Sequence, residues 1–180
     1  VGLAGNPNVG KTTVFNRLTG MRQHVGNWPG KTVERAEGHF KHGSYDYEVI
    51  DLPGNYALSA HSMEEIVSRD FIVDDESDVI VNVVDAANLE RNLYLTTQLI
   101  GLGYPVVIAV NMIDLVRKRG DSIDLEKLGR ALGCECVEIS ALKGEGGMEV
   151  AEKAVALAKN HVHEEPHIFN GSVEHAVAHI

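Results

Sequence analysis

The octapeptide GNPNVGKT at residues 5–12 constrains the fold of this chain more than any other feature. It has the G-x-x-x-x-G-K-[ST] pattern of a phosphate-binding loop, whose glycines let consecutive backbone N–H groups face a phosphate at a helix N-terminus. Residues 1–4 before it form an apolar run typical of a buried strand, and residues 13–18 after it are typical of a helix. This strand–loop–helix context is what the motif requires, and a chance glycine turn would lack it.

The side chains of this loop predict how a nucleotide would be held. Lys11 would bridge the β- and γ-phosphate oxygens, and the hydroxyl of Thr12 would bind Mg²⁺. The predicted nucleotide contacts of the loop are Asn6, Pro7, Asn8, Val9, Gly10, Lys11, Thr12 and Thr13.

Composition restricts the classes of function open to the chain. Its 180 residues, 44% hydrophobic and 23% charged, have the composition of one soluble globular domain. The net charge of −10 argues against nucleic-acid binding, because phosphate backbones need a basic surface. No apolar run in this sequence approaches the length of a membrane span, and we expect no signal peptide. Since the chain starts at Val1 inside a strand and ends at Ile180 without a stop signal, we expect it to be a fragment of something longer.

Apolar runs alternate with helical patterns along the chain, which predicts a doubly wound α/β sheet with helices on both faces. The predicted strands are residues 1–4, 33–42, 45–52, 79–84, 106–110 and 134–139. Of these six strands, the hairpin partner joined at Gly43 and Ser44 should run antiparallel to the others. A helix is predicted at residues 63–73 with Ser62 as N-cap. Residues 21–32 contain two glycines and a proline and predict a long loop.

Three polar segments follow predicted strands, where ligands bind in sheets of this class. At the end of residues 45–52, the carboxylate of Asp51 would hold Mg²⁺ through a water, and the N–H of Gly54 would bind a γ-phosphate. Alone, this D-x-P-G sequence is an ordinary turn. Its place two strands after a phosphate-binding loop is what indicates function.

The segments after the last two strands are typical of guanine recognition. The carboxylate of Asp114 can accept hydrogen bonds from the guanine N1–H and 2-amino groups, which adenine does not offer. Asn111 and Met112 precede it, and the Ser140, Ala141 and Leu142 segment would place a backbone N–H at the guanine O6. The alternative is a turn at the end of a strand, with Asp114 as a helix N-cap.

The glycine-rich segment before residue 33 holds the remaining candidates. Thr32, after Gly30 and Lys31, would supply the second hydroxyl ligand of Mg²⁺; alternatively, it is a β-branched residue that starts the next strand. We expect Trp28 to be a hydrophobic latch or a partner contact rather than plain core. His24 is assigned no chemistry.

The order of these motifs resembles that of the TRAFAC-type small GTPases, which implies a Ras-like P-loop fold. GNPNVGKT together with VGNWPG at residues 25–30 and Thr32-Val33-Glu34 resembles the FeoB family of prokaryotic ferrous iron transporters. The resemblance implies a GTP-binding domain at residues 1–160. It also implies a linker and the truncated start of a helical, nucleotide-dissociation-inhibitor-like (GDI-like) domain at residues 161–180.

The same resemblance implies an activity and its partners. GTP would be hydrolysed to GDP at the cytoplasmic face of the plasma membrane, in support of Fe²⁺ uptake by a membrane-spanning permease domain of the same polypeptide. Homo-oligomers are compatible with the resemblance, and nucleic acid is not an expected partner. The implied catalytic residues are Asn8, Lys11, Thr32 and Gly54. Asn8 would also bind a K⁺ ion that supplies charge near the β–γ bridge.

Two positions depart from the common small-GTPase pattern. Met112 stands where many of these enzymes have Lys, so we expect modest nucleotide affinity and fast release. Asn55 stands where Ras-like enzymes have a water-positioning Gln. Because Asn is one methylene shorter, we expect backbone groups of residues 26–30 or of Gly54 to orient the attacking water.

Other functions remain compatible with these motifs. A ribosome-assembly or tRNA-modifying GTPase shares them but would be expected to carry a basic extension. A nucleotide-sensing module with negligible turnover could gate a channel by ordering loops, and an ATPase would require Asp114 to be idle. Two features are expected to bind no metal: the thiols of Cys134 and Cys136, expected to be reduced, and the histidines of an irregular, solvated tail. Those histidines are His161, His163, His167, His175 and His179.

Overall fold

The computed structural model describes residues 1–21, 23–74 and 76–160, and the fold below refers to these residues. The strands are β1 (Gly2–Gly5), β2 (Gln23–Asn27), β3 (Glu34–His42), β4 (Tyr45–Asp51), β5 (Ile80–Asp85), β6 (Val106–Asn111) and β7 (Glu135–Glu138). The α-helices are α1 (Lys11–Thr19), α2 (Met63–Val73), α3 (Leu89–Gly101), α4 (Ile113–Lys118), α5 (Leu125–Leu132) and α6 (Gly147–Lys159). A short 3-10 helix, Ala86–Asn88, precedes α3. The linker and helical-domain start predicted at residues 161–180 lie outside the described residues.

The strands form one sheet in the order β2-β3-β4-β1-β5-β6-β7. Among the described strands only β3 runs against the others, because it pairs antiparallel with both β2 and β4. β1, β4, β5, β6 and β7 pair in parallel. The predicted α/β architecture with one antiparallel strand is confirmed.

The predicted number of six strands is wrong, because residues 21–32 do not form a loop throughout. Strand β2 lies inside them and pairs with β3 from Gln23 opposite Gly38 to Asn27 opposite Glu34. All five residues of β2 are exposed, and their sequence QHVGN has no alternation of apolar and polar residues. This strand is therefore held by its backbone pairing with β3, which a one-dimensional pattern does not reveal.

Two apolar layers enclose the sheet. Helices α1 and α6 cover one face, where Phe15 and Val150 pack with the sheet residues Leu3 and Val81. Helices α2 to α5 cover the other face, where Phe71 and Leu99 belong to one buried cluster. All residues of β6 and all but the last of β5 are buried, so these strands deliver their carboxyl ends from a rigid core.

The start of α2 is built as the sequence predicts. The side chain of Ser62 accepts a hydrogen bond from the N–H of Glu65 (3.1 Å), and Glu65 in turn accepts from the N–H of Ser62 (3.4 Å). This capping box supplies partners to N–H groups that a helix leaves unpaired. The Glu65 carboxylate also binds Ser59 (2.6 Å) and the backbone of His61 (3.0 Å), which orders the loop that follows β4.

The sequence offers helix α4 only through the alternative that makes Asp114 a helix N-cap, because its six residues are too few to display a helical period. Within residues 1–21, 23–74 and 76–160, no helix combines the length and the apolar character needed to cross a bilayer.

Candidate nucleotide-binding site

The predicted motifs meet at one edge of the sheet. The parallel strands β1, β4, β5 and β6 end at Gly5, Asp51, Asp85 and Asn111, and their shared direction places these ends side by side. The phosphate-binding loop leaves β1 at this edge and enters α1 at Lys11. The described fold therefore brings the loop, the D-x-P-G turn and the two guanine segments to the same side of the molecule.

The backbone of the phosphate-binding loop adopts left-handed conformations at two positions. Asn8 has φ 65° and Gly10 has φ 87°. At Gly10 a Cβ atom would lie 2.4 Å from Nδ2 of Asn111, so a side chain there would displace that amide. The loop leads into the N-terminus of α1, where the first N–H groups of a helix lack intrahelical partners and favour an anion. Thr12 is exposed and Thr13 is half-buried at this terminus.

Asn111 connects the phosphate side of the site to the guanine side. Its buried amide donates to the carbonyl of Val9 (2.9 Å), and its Oδ1 accepts from the N–H of Ala141 (3.1 Å). Sequence reasoning assigned Asn111 to nucleotide contact and missed this bridging role, because the three residues are far apart in the chain. The Ala141 N–H already has a partner in this structure, so its contact with guanine O6 stays a prediction.

The other guanine-side residues lie around the start of α4 and after β7. Met112 is the N-cap of α4 in a left-handed conformation (φ 64°), and half-buried Asp114 lies in the first turn. The alternative that made Asp114 the N-cap is therefore wrong. Ser140 is buried, whereas the side chain of Leu142 is 86% exposed. The guanidinium of Arg17 donates to the Leu142 carbonyl (3.0 Å). This hydrogen bond connects the segment after β7 to α1, and no sequence motif predicted it.

Lys11 and Asp51 form an ion pair between the loop and the end of β4, and their side chains are only 10% and 13% exposed. Burial raises the pKa of Asp51 above its ordinary value, the charge of Lys11 opposes this rise, and nearby Glu34 adds to it. A buried carboxylate of this kind needs a cation beside it to stay ionised.

The D-x-P-G turn lies directly against the phosphate-binding loop. The N–H of Asn55 donates to the carbonyl of Gly5 (3.0 Å), and a Cβ on Gly54 would lie 3.2 Å from Cα of Pro7. The side chain of Asn55 is buried and donates to the carbonyl of Glu64 in α2 (3.4 Å). Gly54 thus lies beside the phosphate-binding loop, while the Asn55 amide contacts α2.

The turn at residues 28–33, between β2 and β3, agrees with Trp28 as a hydrophobic latch and contradicts the alternative of a partner contact. This side chain is only 7% exposed and belongs to the same core cluster as Phe71. The two rings meet edge to face with centroids 5.7 Å apart, and the Arg35 guanidinium lies 4.6 Å from the indole centroid. The turn folds back onto α2, which sequence reasoning did not foresee, so Trp28 is core and not an exposed partner contact.

Thr32 follows this anchor but is itself exposed. Ala36 of β3 pairs with Asp51, so the preceding residues 28–33 extend past Asp51 at the site edge. In the part of the chain that the structure describes, the Thr32 hydroxyl makes no hydrogen bond, and Lys31 pairs with Asp70 of α2 at 3.4 Å. The fold therefore brings Gly30, Lys31 and Thr32 to the correct edge without placing them on Lys11 or Asp51.

The donor set suits the hard cations that the sequence implies. The Thr12 hydroxyl, the Asp51 carboxylate and the Asn8 amide are oxygen donors of the kind that Mg²⁺ and K⁺ accept. No group of three or more His, Cys, Asp or Glu residues within the described ranges could hold a metal. Mg²⁺ beside nucleotide phosphates needs only one or two protein carboxylates, so this sparse set fits it. The buried amide of Asn6 has no hydrogen-bond partner among the described residues.

Comparisons with known proteins agree with this architecture. The family described as "Ferrous iron transport protein B" matches residues 1–154. The "Fe(2+) transporter FeoB" of Salmonella typhimurium is 49% identical over 150 residues, which cover 81% of this chain and 19% of that protein. The chain thus spans about a fifth of the length of the curated relatives it matches.

Two solved structures are also similar. A GDP-bound mutant of S. thermophilus NFeoB has a TM-score of 0.87 and 48% identity, covering 99% of this chain and 69% of that one. The cytosolic domain of the T. maritima FeoB iron transporter in its GMPPNP form has a TM-score of 0.87 and 41% identity, covering 93% and 66%. By sequence and by fold, this chain belongs to the family of ferrous iron transport protein B.

Proposed function

We propose that this chain binds and hydrolyses GTP. The observation that carries the proposal is the bridge made by Asn111, which joins the phosphate-binding loop to the segment after β7 through two buried hydrogen bonds. The bridge makes one continuous site from motifs suited to phosphate and to guanine. Related structures of the family are described as bound to GDP and GMPPNP, which supports a guanine nucleotide as the ligand.

Guanine specificity would rest on Asp114. Its carboxylate stands in the first turn of α4 and is half-buried, so the guanine N1–H and 2-amino groups would bind it out of bulk water. Asp114→Asn should lower the preference for GTP over ATP by about 10- to 100-fold, because a hydrogen bond to a charged group contributes about 1.5–3 kcal/mol. Competition binding with both nucleotides measures this preference. An unchanged ratio of GTP to ATP affinity would show that Asp114 does not determine guanine specificity.

Nucleotide binding would rearrange the charges at the centre of the site. With Mg²⁺ bound through Thr12, Thr32 and Asp51, the Asp51 carboxylate would face the metal while Lys11 turned to the β- and γ-phosphates. Mg²⁺ would then neutralise the Asp51 carboxylate, and Mg²⁺ and Lys11 together would neutralise the phosphate oxygens. Thr32 would join only by a movement of the 28–33 turn toward the loop.

Hydrolysis would replace the bond between the γ-phosphorus and the β–γ bridging oxygen with a bond to a water oxygen, giving GDP and phosphate. The chain's contribution is positioning and charge: the Gly54 N–H at the γ-phosphate, Lys11 across the phosphates, and the side-chain amide oxygen of Asn8 toward K⁺. Asn8 is exposed on the outer bend of the loop, so its amide can reach such an ion. Backbone groups would orient the water, because the Asn55 amide contacts α2.

Within the whole protein, we propose that this GTPase domain regulates or drives Fe²⁺ uptake at the cytoplasmic face of the prokaryotic plasma (inner) membrane. The permease and GDI-like domains would follow residue 160, and homo-oligomers are compatible with this arrangement. The name of the S. typhimurium relative supports the iron connection. Family membership removes the basis for a ribosome-assembly or tRNA-modifying role.

Phosphate release from GTP tests the enzymatic proposal. Turnover in K⁺ should exceed turnover in Na⁺, and Asn8→Ala should remove the difference. Asn160→Ala, an exposed residue at the end of α6, is the matched control and should keep it. Tight GTP binding with no turnover in either salt would instead establish a nucleotide-sensing module, and equal rates in both salts would remove the K⁺ assignment.

A further inference from the structure

A cavity lies at the opposite end of the sheet from the candidate nucleotide site. Its volume is about 830 Å³, and it is lined at the start of β6 by Pro105 and Val106. Since β6 ends at Asn111 in the nucleotide site, the two sites are separated by the length of this strand. Helix α5 and the C-terminal end of α6 complete the lining through Gly129 and Leu157.

Cys134 and Cys136 both line this cavity as free thiols and are both half-buried. Cys136 lies in β7 and Cys134 immediately precedes this strand, and both side chains pack against the same apolar cluster. Each thiol shifts the pKa of the other, which requires the two sulfur atoms to lie close together. Helix α5 approaches them closely at Gly129, where a Cβ would lie 2.7 Å from the Cys134 carbonyl and 3.7 Å from Cys136 Sγ.

The Cys136 thiol is the easier of the two to ionise. Interaction with the Cys134 thiol lowers the pKa of Cys136, and the same interaction, together with burial, raises the pKa of Cys134. The charged side chains lining the cavity are Glu126, Arg130 and Glu135. The guanidinium of Arg130 provides a positive charge on this otherwise acidic lining.

We propose that Cys134 and Cys136 form a two-thiolate site for a soft monovalent cation of the Cu(I) class. Thiolates select soft ions, and Cu(I) is satisfied by two sulfur ligands in a linear arrangement. Zn²⁺ and Fe²⁺ need more donors, and no cluster of three or more His, Cys, Asp or Glu residues occurs in residues 1–21, 23–74 and 76–160. The proposal keeps the expectation that both thiols are reduced and replaces the expectation that they bind no metal: the reduced pair is a ligand set.

Binding is a ligand exchange without a redox step. Both S–H bonds are lost, two S–Cu bonds form, and two protons leave to solvent, so the bis-thiolate complex carries one negative charge. Arg130 lines the same cavity and can balance that charge. The cuprous ion enters and leaves in the same oxidation state.

Anaerobic titration of the reduced full chain with Cu(I), against a chromophoric Cu(I) chelator, tests the proposal. One ion should bind per chain with a thiolate-to-copper charge-transfer absorption, which the histidines of residues 161–180 cannot produce. Cys134→Ser and Cys136→Ser should each weaken binding by on the order of a hundredfold, because the second thiolate binds intramolecularly. Met148→Leu, which removes a thioether that is 70% exposed, should change nothing.

Alkylation of the wild-type chain gives an independent readout that does not require the serine variants to fold. Bound Cu(I) should protect both thiols from iodoacetamide, whereas equimolar Zn²⁺ or Fe²⁺ should protect neither. Unchanged Cu(I) affinity in the Cys134→Ser, Cys136→Ser double variant would overturn the proposal. Equal protection by Zn²⁺ would do the same, as would a mass showing that the purified pair is a disulfide.

Discussion

The two sides of the nucleotide site are held in different ways. On the guanine–phosphate side, the functional segments leave the buried strands β1 and β6 and are joined by hydrogen bonds of a buried amide, that of Asn111. On the hairpin side, formed by β2 and residues 28–33, the strand is exposed along its whole length. That side is anchored to α2 by Trp28 and by the partly exposed ion pair of Lys31 with Asp70.

This difference shows how one fold can combine a fixed binding surface with a segment able to respond to it. Buried amide hydrogen bonds are costly to break, so the guanine–phosphate side keeps its geometry in the absence of nucleotide. Exposed ion pairs contribute little to stability, which leaves one buried indole as the main side-chain anchor of residues 28–33. A change in nucleotide state can therefore move residues 28–33 more easily than residues 5–12.

The largest expected effect separates two lysines, one on each side. Lys11→Ala should reduce single-turnover GTP hydrolysis by roughly 10²–10³-fold, the cost of removing one donor from developing transition-state charge. Lys31→Ala, the matched change on the hairpin side, should alter it by less than about threefold, because an exposed ion pair contributes only about 0–1 kcal/mol. Phosphate release with the chain in excess over GTP measures both rates. Equal losses in the two variants would contradict the proposed division of the site.

The next effect concerns stability and uses two asparagines. Asn111→Ala should lower the free energy of unfolding by about 2–3 kcal/mol, because it leaves the Val9 carbonyl and the Ala141 N–H without partners. Asn27→Ala on exposed β2 should cost less than about 0.5 kcal/mol. Urea denaturation at constant m-value reports both. A similar loss at Asn27 would mean that the hairpin side is as firmly held as the other.

A smaller effect should follow from loosening the hairpin anchor. Trp28→Leu keeps an apolar contact but loses the edge-to-face pairing with Phe71, so we expect a loss of about 1–2 kcal/mol. Hydrogen exchange at residues 28–33 should accelerate, while exchange at residues 5–12 stays unchanged. Phe40→Leu, which removes a stacked ring pair with Tyr47 on β3 and β4, is the control for a ring pair elsewhere in the sheet. Faster exchange in both segments of Trp28→Leu would show that the two sides are not separable.

The smallest effect is expected at Asn55. Its amide donates to the Glu64 carbonyl at 3.4 Å, so Asn55→Ala should cost about 1 kcal/mol of stability and less than roughly tenfold in turnover. Multiple-turnover hydrolysis in K⁺ measures the second quantity. A drop of several hundredfold would show that this side chain, and not backbone groups, orients the attacking water.

Much of the site follows from local pattern because parallel strands end at a common edge. Asp51, Asn111 and Ser140 each follow an apolar run, so their convergence with the phosphate-binding loop needs only the strand order. The capping box of Ser62 and Glu65 is likewise local, since its partners are three residues apart. Contacts between segments that are distant in the chain leave no periodic pattern in the sequence and could not be predicted. They are the pairing of β2 with β3, the burial of Trp28 and the hydrogen bonds of Asn111.

The sequence by itself determined the α/β class, the phosphate-binding loop and the family, because these reside in spacing along the chain. Only the tertiary structure shows which groups interact with one another. Lys11 pairs with Asp51, Asn111 is hydrogen-bonded to Val9 and Ala141, and Trp28 packs on Phe71. The reason is that hydrogen bonding, burial and desolvation depend on neighbours in space. Lys11 and Asp51 are 40 residues apart in the chain, and Val9 and Asn111 are 102 residues apart. These contacts, more than the sequence motifs, distinguish the guanine–phosphate side of the site from the hairpin side.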